Sequence, residues 1–169
     1  MENNTVTTNT TATVISPADL LKHWQGHRGL TRRIIEAFPE KEFAAFSIGG
    51  MRPFVMLAME LLHMAAPTVK GVVTGNWEQL GNHQPGAATP NKEEILKRWD
   101  ESTEVINSFW PMIAPERFGE KIVAFGQYEN TVISTILYVI ENEVHHRGQG
   151  YVYLRALGIE PAAFWDRPM

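Results

Sequence analysis

The sequence predicts an all-α protein built as a four-helix bundle. Four segments carry apolar residues at helical spacing, each bounded by proline, glycine or a capping residue. Two of them are apolar on nearly every side, which requires burial between the other two. No segment shows the alternating pattern of a convincing sheet, which leaves helix packed on helix.

The first helix is set by Ser16-Pro17-Ala18-Asp19. Ser16 can cap it, Pro17 suits the first helical position, and Asp19 places negative charge in the first turn. Leu20, Trp24, Thr31, Ile34, Ile35 and Phe38 then form its stripe, and Pro39 stops it. A connector over residues 40–52 contains the Gly49-Gly50 break. Pro53 opens the second helix, in which Glu60 and His63 are the only polar residues before Pro67. Pro67 is expected to kink this helix. Residues 74–89, rich in Gly, Asn, Gln and Pro, read as a long loop carrying Trp77 and His83.

Pro90 opens the third helix, with a stripe of Ile95, Trp99, Val105, Ile106 and Phe109, and Pro111 and Pro115 end it. A second connector, residues 118–127, holds a short extended piece at 121–125. The fourth helix is expected over residues 128–157, with Gly158 as its stop. The tail from Ile159 carries Pro161, Phe164 and Trp165 and is expected to pack back on the bundle. Residues 1–15, mostly Thr and Asn, read as a disordered or loosely attached tail before a single domain at 16–169.

Composition narrows the function. The 169 residues include no cysteine, which excludes disulfides, Cys-ligated metal and a catalytic thiol of the protein's own. A net charge of −4 argues against nucleic acid as the main partner. No stretch reads as a membrane span or a signal peptide, so a cytoplasmic location is expected.

Chemistry is expected where polar residues interrupt buried helices. A buried polar group without partners costs about 1–3 kcal/mol. Glu60 and His63 share one side of the second helix. Asn142, Glu143, His146 and Gln149 share one side of the fourth, at spacings of three and four. Facing one another, they satisfy each other directly or through a metal. Two imidazoles with an oxygen donor suit Zn²⁺, Ni²⁺ or Fe²⁺ with an open coordination position. His27 falls on the core stripe of the first helix and is held in reserve. His23 is read as a surface residue, and His145 as a capping residue or one that supports a ligand. Glu60-x-x-His63 and Glu143-x-x-His146 also match the Glu-x-x-His pattern of di-metal carboxylate bundles. That reading needs inward carboxylates on the other two helices, where only Glu36 is on offer.

His145-His146-Arg147-Gly148-Gln149, followed by Tyr153-Leu154-Arg155-Ala156-Leu157-Gly158 and Pro161, resembles the last helix of the DinB/YfiT-like family. The family's His-x-x-x-His-Arg-Gly-Gln motif aligns there, and its second-helix histidine falls on His63. The resemblance implies a four-helix bundle, a divalent metal held by three histidines, and a homodimer. It also implies transfer of a low-molecular-weight thiol, such as bacillithiol or mycothiol, to an electrophile near the Trp77 loop. Arg147 and Arg52 would then orient the thiol cosubstrate. His63 and His146 carry over as metal ligands, but the first histidine of the motif is Asn142, whose carbonyl is a weaker ligand. Glu143, Glu60 or His27 can substitute for it. The alternative is a non-catalytic dimeric bundle with a degraded metal site.

Overall fold

The computed structural model describes residues 14–77 and 89–167. The predicted disordered tail falls almost wholly outside the described residues, and so does His83. The described chain forms α1 (Pro17–Ala37), α2 (Glu40–Ala45), α3 (Phe54–Thr74), α4 (Lys92–Phe109), β1 (Lys121–Ala124), β2 (Tyr128–Thr131) and α5 (Val132–Ala156). Two short 3₁₀ turns, Trp110–Met112 and Pro115–Gly119, join α4 to β1.

The long helices α1, α3, α4 and α5 pack as the predicted bundle. Ser16 caps α1 by accepting from the Asp19 N–H at 3.0 Å. Asn91, rather than Pro90, caps α4, accepting from the Glu94 N–H at 2.8 Å. α3 runs through Pro67 to Gly75, whose φ of 74° supplies the left-handed residue that ends it. By length and composition α3 could cross a membrane, but its apolar residues pack against α4 and α5.

Two features depart from the sequence reading. The connector after α1 contains the short helix α2, which buries Phe43 against Phe38 and Phe54. Residues 128–131, expected to begin the last helix, instead form β2, paired antiparallel with β1 in the register Lys121↔Thr131. Phe125 (φ 54°) and Gly126 (φ 70°) make the turn between them. Thr131 then caps α5, its hydroxyl accepting from the Ser134 N–H at 3.2 Å.

The core is divided in two. One half gathers Trp24, Val69, Val72, Ile106, Trp110 and Ile136. The other gathers Ile34, Phe38, Phe54, Leu57, Trp99 and Tyr153. On α1 and α5 the residues between these halves are polar and buried: His27, Arg28 and Thr31 on one helix, Glu143, His146 and Arg147 on the other.

Candidate functional site

The buried polar layer resolves into two separate networks because successive residues of α5 point in different directions. Glu143 and Arg147, four apart, face α1. Asn142 and His146, also four apart, face α3.

The α1 side is structural. Glu143 is 1% exposed. Its carboxylate accepts from Thr31 Oγ1 at 2.7 Å and from Trp24 Nε1 at 3.2 Å, with the Arg28 guanidinium 3.8 Å away. Arg147 donates to the His27 carbonyl and to Thr31 Oγ1, each at 3.2 Å, and to His27 Nδ1 at 2.9 Å. Burial pushes the Arg28 guanidinium down to about 10, against the opposing charges of Glu143 and Asp100. Burial, followed by the charges of Arg147, Arg167 and His23, pushes His27 down to about 3, so its imidazole is neutral. Glu143 and His27 are both engaged with α1 partners, and Arg147 reaches α1 rather than a ligand space.

The α3 side faces a cavity. Glu60 Oε1 contacts His146 Nε2 at 3.0 Å and accepts from Asn142 Nδ2 at 3.3 Å. Its other oxygen pairs with Arg52 at 2.7 Å. Asn142 Nδ2 also lies 3.3 Å from Met64 Sδ. Gln149 contacts His146 Nδ1 at 3.3 Å and His145 Nε2 at 3.1 Å, so His145 supports His146 through Gln149. Burial pushes the Glu60 carboxyl up, but the hydrogen bonds to His146 and Arg52 outweigh it and hold it below the usual carboxylate range.

The cavity has a volume of about 650 Å³ and lies between α3, the start of α5 and the hairpin. Arg52, Glu60, His63, Thr68 and Thr135 give its wall polar groups. Met56, Met59, Met64, Phe125, Tyr128, Tyr138 and Val139 supply apolar surface. Thr68 is fully buried, and its hydroxyl has no hydrogen-bond partner among the described residues. Glu60 and Thr68 are separated by about 12 Å along α3, with His63 and Met64 on the wall between them.

The residues singled out in the sequence are therefore only partly brought together. Arg52 and His63 line the cavity, and Asn142 and His146 bond to Glu60 on its wall. Trp77 is not in this wall. It packs over Gly71 and meets the Phe125 ring edge-on at 5.1 Å, buttressing a residue that is. The hairpin residues Phe125 and Tyr128 escaped the sequence reading. Their signal was the Phe125-Gly126 turn.

The donor set does not fit a three-histidine metal centre. At most His63 and His146 supply imidazoles. Asn142 turns its N–H group to Glu60, and the Glu60 carboxylate is already matched by Arg52 and His146. Among the described residues, no three His, Cys, Asp or Glu side chains form a metal-binding group. The di-metal arrangement fares no better, since Glu143 faces α1 and Glu36 is exposed, paired with Arg32.

These features define a helical bundle with a mixed polar and apolar cavity beside its last helix. The chain belongs to the DinB family, which it matches over residues 1–167. Its fold is similar to that of the DinB-like protein YjoA of Bacillus subtilis, with 19% identity and a TM-score of 0.69, covering 88% of this chain and 99% of that one. It is also similar to a DinB-like protein of Bacillus cereus, with 16% identity and a TM-score of 0.68, covering 88% and 97%. No curated protein matches the sequence.

Proposed function

We propose that this DinB-family protein binds an elongated small molecule in the cavity, without a resident metal. The ligand would have apolar surface to meet the methionines and polar groups to meet the Arg52–Glu60 pair and Thr68. The observation that supports this most is the unpartnered, buried Thr68 hydroxyl in a cavity wall whose other polar end is the Arg52–Glu60 pair. A buried hydroxyl without a partner costs about 1–3 kcal/mol, and a ligand atom bonded to it recovers that. Arg52 and Glu60 together present both donors and acceptors with balanced charge, which suits a polar head group over a free anion. The methionines offer an adaptable apolar surface.

Binding of the fluorescent probe Nile red tests this reading. The protein is expected to bind one probe per chain, and Met59→Trp, which fills the cavity, to weaken binding at least tenfold. Unchanged binding by that variant would overturn it.

Metal-dependent thiol transfer is the second reading. What favours it is that His63 and Glu60 share the cavity wall behind which His146 and Asn142 lie. Elemental analysis after incubation with Zn²⁺, Ni²⁺ or Fe²⁺ separates the two. Stoichiometric metal lost in His63→Ala and His146→Ala supports the second reading, and its absence supports the first.

A further inference from the structure

Phe125 stands in the left-handed region at φ 54°, beside Gly126 at φ 70°. Turns of this shape favour asparagine and glycine, and a bulky residue held there is strained. Such strain persists only where neighbouring groups hold the residue in place. The Phe125 ring lines the cavity on its hairpin side. The hairpin itself has few anchors: β1 and β2 have four residues each, and of these eight only Ala124 is buried.

The restraint comes from Trp77. Its indole meets the Phe125 ring edge-on, with the ring centroids 5.1 Å apart. The end of α3 puts it there. Gly75 (φ 74°) reverses the chain, and the Asn76 N–H donates to Thr74 Oγ1 at 3.1 Å. The indole then falls back over Gly71. A Cβ on Gly71 would stand 2.6 Å from the indole Cδ2 and 2.7 Å from Cζ3, closer than carbon atoms pack, so the glycine is what admits the ring. Neither Gly71 nor Trp77 belongs to the described cavity wall.

We propose that Gly71, Trp77 and Phe125 form a latch that controls release of the cavity ligand. Gly71 seats the indole, the indole braces Phe125, and Phe125 closes the hairpin side of the cavity. A ligand leaves by displacing Phe125, and Trp77 resists that movement. Trp77 is thus a positioning residue, which acts on the ligand through Phe125. The latch rests on the cavity reading above and adds to it the part of the wall that moves.

Stopped-flow release of Nile red, with amide hydrogen exchange followed by NMR, tests the latch. Phe125→Ala should speed release at least about tenfold and Trp77→Ala at least about fivefold. The double variant should release no faster than Phe125→Ala alone, because Trp77 has nothing left to brace. Gly71→Ala deletes no contact and should match Trp77→Ala by displacing the indole. The Gln127 N–H donates to the Ala124 carbonyl at 3.1 Å and closes the hairpin. It should exchange at least about tenfold faster in Trp77→Ala, while circular dichroism stays that of the parent. Effects that multiply in the double variant overturn the latch, as does unchanged release or unchanged Gln127 exchange in Trp77→Ala. A parent protein that binds no Nile red overturns the cavity reading and the latch with it, whereas a parent that binds the probe and releases it no faster in Trp77→Ala overturns the latch alone.

Discussion

Replacing Glu143 by alanine removes the one acidic side chain in the buried layer between α1 and α5. Trp24 Nε1 loses its acceptor at 3.2 Å, and Thr31 Oγ1 loses the one at 2.7 Å, keeping only the His27 carbonyl at 3.1 Å. Arg28, 1% exposed and with one nitrogen already unpartnered, loses the opposing charge 3.8 Å away. Breaking a buried ion pair from one side costs about 3–5 kcal/mol, because the remaining charge stays buried. At about 2–4 °C per kcal/mol for a domain of this size, the melting temperature should fall by about 6–20 °C. Thermal unfolding followed by circular dichroism measures it. The control is Glu129→Ala, which removes only an exposed pair with Lys121 and should shift stability by less than about 0.5 kcal/mol. A Glu143→Ala protein that melts within 2 °C of the parent would falsify the assignment of this network to stability.

Three further outcomes follow from the same geometry. His27 is held neutral with its pKa lowered to about 3 from 6.5, so the unfolded chain takes up a proton that the folded one refuses. Its contribution is fully present above pH 6.5 and is lost as pH falls toward 3, with a slope of up to about 1.4 kcal/mol per pH unit; denaturant unfolding across that window should show a shallower slope in His27→Gln. Gly150→Ala should destabilise by about 1–3 kcal/mol, because Phe54 at 2.5 Å and Ile34 at 3.1 Å must shift, and its urea midpoint reports this. Glu60→Gln leaves Arg52 without its opposing charge and turns one of the two carboxylate oxygens into an N–H donor, so Nile red affinity should change severalfold while unfolding moves by less than it does for Glu143→Ala.

The bundle was legible because its signals are local. Ser16-Pro17-Asp19 started α1, Gly158 marked the end of α5, and two nearly all-apolar segments demanded burial. β2 was misread because Tyr128 to Thr131 run directly into the apolar start of α5, and four residues are too few for periodicity to decide. The turn at Phe125-Gly126 and the cap at Thr131 were the local cues. Of the site, the sequence placed polar residues on one side of each buried helix. It did not separate Glu143 and Arg147, which face α1, from Asn142 and His146, which face α3. Those pairs differ by one residue, and so by about 100° around the helix. Such a difference acquires meaning only once the neighbouring helices are in place. The role of Glu60 was likewise hidden, because its partner Arg52 lies before α3, in a connector with no periodicity to orient it.

On the proposed reading, Glu60, held by Arg52, His146 and Asn142, makes its end of the cavity wall a satisfied hydrogen-bond network instead of a metal centre. Calorimetric titration of the purified protein with Zn²⁺ tests it most directly. No stoichiometric binding is expected at micromolar concentration, in the parent or in His146→Ala. One zinc bound per chain by the parent, and lost in His146→Ala, would contradict it.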